Sequence, residues 1–551
     1  MPDHYSQIKK NSQRRIALDP WSIGATVIAF VVLMPIGAIL WFAFHPTDNI
    51  WPHLLSTTLP RYLANTGILM VCVGMLAAAI GTGAAWLVVM YQFPARRWLQ
   101  WALLMPLAVP AYVGAYALVD FFEYAGPVQT ALRAVFGWTN AQDYAFPAIR
   151  TRGAAVLVLA AALYPYVYIL ARAAFREQSG ASFEVARALG AGPFARFWRV
   201  GLPLARPAIA AGVAVVMMET VNDYGTVDYF AVQTLTTGIF SVWLQGGNLG
   251  GAAQLAVCVL TIIVMLVTIE KLSRRKSRFY ISARNARPVA PSVLEGWRGW
   301  AATALCSLPV LVGFALPMAV LMSHAADVSE WTAKGLHLAV TRTVIVAGIA
   351  AMLTVAGGVF MVYGVRLGRK KWPAILMPIT AIGYAAPGAV LALGILVPLA
   401  ALDNKVADGI VALTGYDPGL LMTGTAAALV LAYVVRFFAI AQGTADAALG
   451  RVSPSLPMAA RSLGRTKGGT LRAVQIPLVQ ASIGSALLLV FVDAVKELPA
   501  TLLLRPFNFD TLATRVHAKA SLENISEAAP AALIISVIGL LAVALLARAN
   551  R

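Results

Sequence analysis

Apolar runs of about 20 residues or more alternate with short polar segments along nearly the whole chain. A helix rises 1.5 Å per residue, so each run is long enough to cross the ~30 Å hydrocarbon layer of a bilayer. Twelve spans are predicted, at about 22–45, 63–91, 99–120, 154–175, 204–222, 252–270, 299–322, 337–364, 373–401, 419–442, 477–496 and 529–547. Pro106, Pro110, Pro165, Pro378 and Pro387 fall inside them and predict kinks that neighbouring helices accommodate. The pattern is that of an all-α polytopic membrane protein.

Composition agrees. Of 551 residues, 59% are apolar and 12% charged, which excludes an ordinary soluble enzyme and a disordered chain. The net charge of +19 takes its meaning from sidedness. With the N-terminus in the cytoplasm, the basic clusters at Arg96/Arg97, 172–206, 271–298, Arg366 to Lys371, 443–476 and Arg548/Arg551 all fall inside, as the positive-inside rule requires. Both termini are therefore expected in the cytoplasm, and the basic excess orients the chain rather than binding nucleic acid. Lys9, Lys10, Arg14 and Arg15 precede an apolar run, Ser22 to Phe44, too long for a secretory signal, which reads as a retained first span. Cys72, Cys258 and Cys306 lie singly in apolar spans and read as small buried residues.

The polar stretch 271–298 falls near mid-chain and predicts a linker between two halves, 1–285 and 286–551. Arg96-Arg97-Trp98 recurs as Lys370-Lys371-Trp372, Leu104-Met105-Pro106 as Leu376-Met377-Pro378, and Ala-Arg-Ala-Leu-Gly (186–190) as Ala-Arg-Ser-Leu-Gly (460–464). Thr234-Leu235 with Thr237 recurs as Thr511-Leu512 with Thr514. The offset stays between 272 and 277, so the chain reads as a six-plus-six duplication with both copies in the same orientation.

The cytoplasmic loop after the fourth span of each half, 182–203 and 456–477, holds a short helix stopped by Gly190 or Gly464. A second short helix comes next, then Pro203 or Pro477 at the start of the next span. Phe194, Phe197 and Trp198 give the first copy an apolar stripe beside Arg196 and Arg199, which also suits helices lying on the inner leaflet.

Both loops resemble the EAA motif of binding-protein-dependent ABC importer permeases: Glu-Ala-Ala, three residues, Gly, nine residues, Ile-x-Leu-Pro. The first copy supplies Glu184, Ala186, Gly190, Val200, Leu202 and Pro203, and the second Ala459, Ala460, Gly464, Val474, Ile476 and Pro477. Val185 and Met458 depart from the motif. The stretches 218–230 and 493–507 look like the fused iron(III) permeases of that family. The resemblance implies two tandem six-helix halves of the type I (MetI-like) permease fold. It also implies two copies of a cytoplasmic ABC ATPase docked on the motif loops, and a periplasmic iron(III)-binding protein outside. Fused thiamine permeases share the architecture, and an ion-driven secondary transporter is the reading from another class.

No phosphate-binding Gly-x-x-x-x-Gly-Lys-Ser/Thr occurs, so ATP hydrolysis is expected on a separate chain, with no cofactor and no catalytic residue here. His4, His45, His53, His324, His337 and His517 have no metal-ligand spacing. Charges within spans are costly and hence informative. Glu219 matches Asp493 and Asp223 matches Glu497 at the repeat offset, each pair four residues apart on one helix face. With Tyr224 and Asp228, and Tyr229 close by, these carboxylates form a candidate pathway for Fe³⁺, a hard cation that prefers oxygen. The same carboxylates equally suit pairing with Lys496 or Arg505, capping of helix ends, or contact with a partner.

Overall fold

The computed structural model describes residues 20–275, 290–326, 328–367, 372–380, 386–453 and 455–549. The basic residues Lys9, Lys10, Arg14, Arg15, Lys370, Lys371 and Arg551, and the 285/286 boundary, lie outside the described residues. In the first half the main helices are α1 (Pro20–Phe44), α2 (Leu59–Met90), α3 (Ala111–Phe122), α4 (Arg152–Arg176), α5 (Gly180–Ala188), α6 (Pro193–Asn222), α7 (Gly225–Tyr229), α8 (Leu235–Phe240) and α9 (Leu249–Arg275). The second half runs α10 (Trp297–His324), α11 (Lys334–Leu367), α12 (Gly388–Thr414), α13 (Ala426–Gly450), α14 (Ser455–Ser462), α15 (Gly468–Val495), α16 (Pro499–Leu504), α17 (Leu512–Ala520) and α18 (Ile525–Ala549). Among the described residues, eleven helices are long and apolar enough to cross a membrane. The bent pair Arg96–Ala108 with Ala111–Phe136 brings the number to twelve if taken as one span.

That pair corrects the expected span 99–120. The two pieces meet at 95°, because Pro110 has no N–H to continue a helix and holds Val109 in extended backbone. Pro387 likewise sits at the N-cap of α12, dividing the expected span 373–401 into Trp372–Thr380 and α12. The expected span 419–442 begins later, at Ala426, because the Asp403 carboxylate accepts the N–H groups of Leu421, Met422 and Thr423 and holds them as a loop.

Equivalent contacts recur in both halves. Thr151 caps α4 and Thr425 caps α13, each hydroxyl accepting a backbone N–H of the first turn. The Thr66 hydroxyl accepts Leu235 N–H at 3.0 Å, and the Thr343 hydroxyl accepts Leu512 N–H at 2.8 Å. Gly81 lets α2 lie on α4 so closely that a Cβ there would sit 2.9 Å from Tyr168 N; a Cβ on Gly358 would sit 2.9 Å from Gln442 N where α11 crosses α13. Backbone approach through glycine is how membrane helices pack without a hydrophobic drive between them.

The first span of each half packs on the other half. Trp21 of α1 stacks on Phe360 of α11 with ring centroids 5.3 Å apart and meets Tyr363 edge-on. Gly394 of α12 approaches Pro35 so closely that a Cβ would overlap the Pro35 carbonyl oxygen. In return Gly313 of α10 lies against Ala161 of α4, where a Cβ would overlap the carbonyl oxygen. One core therefore runs through both halves, taking in Ile39, Tyr116, Leu391, Tyr433 and Leu512. Large apolar side chains left exposed, such as Phe30, Trp41 and Met352, lie on spans where lipid is their solvent.

Candidate functional site

The motif loops leave α4 and α13 as short helices with an abrupt stop. Gly190 has φ +82° and Gly464 φ +83°, with Ala191 N–H reaching back to the Ala186 carbonyl and Arg465 N–H to that of Ala460. This is a glycine C-terminal cap, and no neighbour lies within 4 Å of a Cβ built at either position. Leu189 and Leu463 stand 82% and 86% exposed at the tips, and Glu184, Met458, Ala459 and Phe194 are exposed beside them. Ala186 is half-buried and Ala460 buried, forming the inner side of the two helices.

The chain beyond Gly190 departs from the expected separate helix. The segment from Pro193 continues into the span as one helix, α6, through a widened turn at Phe197–Gly201; α15 does the same at Leu471–Gln475. Pro203 and Pro477 explain the widening, since each lacks the N–H that would close a normal turn. Each loop thus leads into a helix that runs unbroken through a membrane span.

At the other end of α6, Asp223 turns out of the helix. Its carboxylate accepts the N–H groups of Thr226 and Val227 and the Thr226 hydroxyl, capping α7. Glu497 at the end of α15 accepts Ala500 and Thr501 N–H and the Thr501 hydroxyl, capping α16. Between the caps lies a cavity of about 150 Å³, lined from both halves by Tyr112, Tyr166, Glu219, Arg436, Asp493 and Lys496 as well as Asp223, Tyr224 and Glu497. Lys496 Nζ donates to Asp493 at 2.9 Å, and Arg436 Nη1 stands 3.5 Å from Glu497 Oε1. Glu219 faces Arg436, Asp493 and Lys496 and makes no hydrogen bond among the described residues. Four carboxylates against two cations leave the cavity formally negative.

Residues 70–278 match the family described as binding-protein-dependent transport system inner membrane component. Over those residues the chain is similar to this permease family. It is 24% identical over 492 residues to the Fe(3+)-transport system permease protein FbpB 2 of Haemophilus influenzae, covering 88% of this chain and 88% of that one. The ferric transport system permease protein FbpB of Actinobacillus pleuropneumoniae is 23% identical over 428 residues, 73% of this chain and 58% of that one. The molybdenum transport system permease protein ModB of Escherichia coli K12 is 26% identical over 210 residues, 37% of this chain and 88% of that one.

The sequence-predicted carboxylates Glu219, Asp223, Asp493 and Glu497 do come together, with Tyr224 at the same cavity. Asp228 does not line it; it stands exposed one turn further along α7. Arg505 pairs with Asp510 and takes no part. Sequence reasoning missed Arg436, although it is the lone charge in the expected span 419–442 and its cost there marks it. It also missed Tyr112, Tyr116, Tyr166 and His517, since a single phenol or imidazole in an apolar helix reads as packing. Tyr116 Oη lies 2.9 Å from His517 Nδ1. Burial, with the Arg505 guanidinium nearby, pushes His517 down to about 4, so the imidazole is neutral. Among the described residues, no three His, Cys, Asp or Glu side chains are placed to hold a metal ion together.

Proposed function

We propose that the chain is the permease subunit of an ATP-driven importer that moves iron(III) from a periplasmic binding protein into the cytoplasm. Two copies of a cytoplasmic ATPase dock on the loops around Gly190 and Gly464, and both chain termini lie on that side. The observation that carries this reading is the pair of exposed, glycine-stopped helices, each followed at once by a helix that runs unbroken to the central cavity. ATP binding draws the two ATPases together, the loops carry that displacement into α6 and α15, and the cavity between those helices changes its side of access. Such coupling requires partners that bind the two conformations unequally.

Iron(III) as cargo is supported by ferric relatives that match along most of the chain, whereas the molybdenum permease matches 37% of it. The negative cavity fits a cation. The test is uptake into proteoliposomes holding the full chain and the ATPase, with the binding protein and radioactive iron(III) outside. Uptake requires ATP, both partners and the permease; uptake without the ATPase overturns the reading.

A further inference from the structure

The internal repeat separates what the fold demands from what it merely permits. Where both halves need a group, both keep it: Thr66 with Thr343, Gly81 with Gly358, Asp223 with Glu497. At the cavity's edge and beyond it, several polar groups have no polar counterpart in the other half. Tyr224, Asp228 and Tyr229 of α7 correspond to Leu498, Leu502 and Leu503; Tyr116 of α3 corresponds to Leu393 of α12; and His517 of α17 corresponds to Phe240 of α8. At every one of these positions the other copy builds the same backbone with an apolar side chain. The phenols, carboxylate and imidazole are therefore not required by the fold.

These five residues converge although they come from both halves. Besides the Tyr116–His517 contact, the Tyr116 and Tyr229 rings meet edge to face at 4.5 Å, and the rings of Tyr224 and His517 are 5.9 Å apart. Tyr224 hydrogen-bonds the Asp228 carboxylate and also lines the central cavity. On the outer side the Arg150 guanidinium sits 5.1 Å above the Tyr229 ring, held by Glu123 and Glu523. A cation thus already caps the cluster from outside, over a ring face and between acids.

We propose that Tyr116, Tyr224, Asp228, Tyr229 and His517 form a one-sided transit site for a hard trivalent cation, between the outer face and the central cavity. The site rests on the reading that iron(III) is the cargo. Phenolate and carboxylate oxygens are hard donors that match Fe³⁺, and neutral imidazole is a common iron ligand. As each phenol oxygen bonds the metal its proton passes to water, and the proton returns when the ion moves on to the cavity. Arg150 must swing off Tyr229 to admit the ion.

The test exchanges each residue for its counterpart in the other half: Tyr116→Leu, Tyr224→Leu, Asp228→Leu, Tyr229→Leu and His517→Phe, with Tyr224→Phe as a milder control. The full chain in nanodiscs is titrated with ferric citrate and read by the visible phenolate-to-iron charge-transfer band. The same variants are assayed with ATPase and binding protein for iron uptake and for binding-protein-stimulated ATP hydrolysis. The expected result is a band in the parent protein, weakened in each single tyrosine variant including Tyr224→Phe, and uptake reduced about 10-fold or more with stimulation of ATP hydrolysis kept. Parent-level iron uptake in the leucine variants with no band in the parent overturns the site and leaves the cargo reading standing. A parent protein that imports molybdate and not iron overturns the cargo reading, and the site with it.

Discussion

Asp223 and Glu497 stand 274 positions apart, and each uses its carboxylate to cap the short helix that comes after it. The residue types differ, yet both accept two consecutive backbone N–H groups and a threonine hydroxyl. A charge that looks in sequence like a guide for a cation thus has a structural duty first.

Asp223→Asn is accordingly expected to keep most of the cap, because the amide oxygen still accepts the Thr226 and Val227 N–H groups and only the Thr226 hydroxyl bond to Oδ2 is lost. Asp223→Ala removes it and costs about 1 kcal/mol. Thermal unfolding of the purified protein, Ala against Asn, measures the difference; equal midpoints would show that the capping bonds contribute nothing.

Glu219 makes the contrasting case. It makes no hydrogen bond among the described residues, so Glu219→Gln leaves thermal stability and basal ATPase activity of the assembled importer unchanged while lowering iron uptake. Loss of assembly with no selective uptake defect would assign Glu219 to packing.

The Arg436–Glu497 pair is deeply placed, with side chains 14% and 1% exposed. Removing either partner strands the other charge at a cost of about 3–5 kcal/mol. Arg436→Ala and Glu497→Ala are each expected to destabilise strongly, and the double variant by less than their sum. Strict additivity in a double-mutant cycle would mean the two charges do not interact.

Gly190 and Gly464 have free space around them, so the cost of substitution there is conformational. Valine at φ near +80° is strained by about 1–3 kcal/mol, whereas asparagine adopts that region readily. Gly190→Val and Gly464→Val are expected to insert normally but to lose co-purifying ATPase and uptake, with the asparagine variants recovering both. Normal ATPase capture by both valine variants would refute docking at these loops.

How much of this is legible in the sequence depends on what a linear pattern can encode. Twelve apolar runs, the repeat and the two glycine stops depend on spacing, and spacing is visible. The 95° break at Pro110 reads in sequence as a kink, since one proline looks alike whether it bends a helix or starts a new one. The carboxylate pairs stand out because a charge in an apolar run is conspicuous. Tyr116 and His517 do not, being 401 residues apart and each ordinary in its own surroundings; only folding brings them together.

The reciprocal placement of the first spans also sets an order of events during synthesis. Helix α1 leaves the ribosome roughly 320–370 residues before α11 and α12, its second-half packing partners, are complete, which at about 5–20 residues per second is on the order of 16–75 s. Until then Trp21 and Pro35 lack their second-half partners, and α9 of the same half is what packs along α1 once it has emerged. Helix α10, by contrast, emerges to find Ala161 and the rest of α4 already inserted. Newborn chains of this protein pass through a stage with a half-packed first helix, open to capture by membrane quality control.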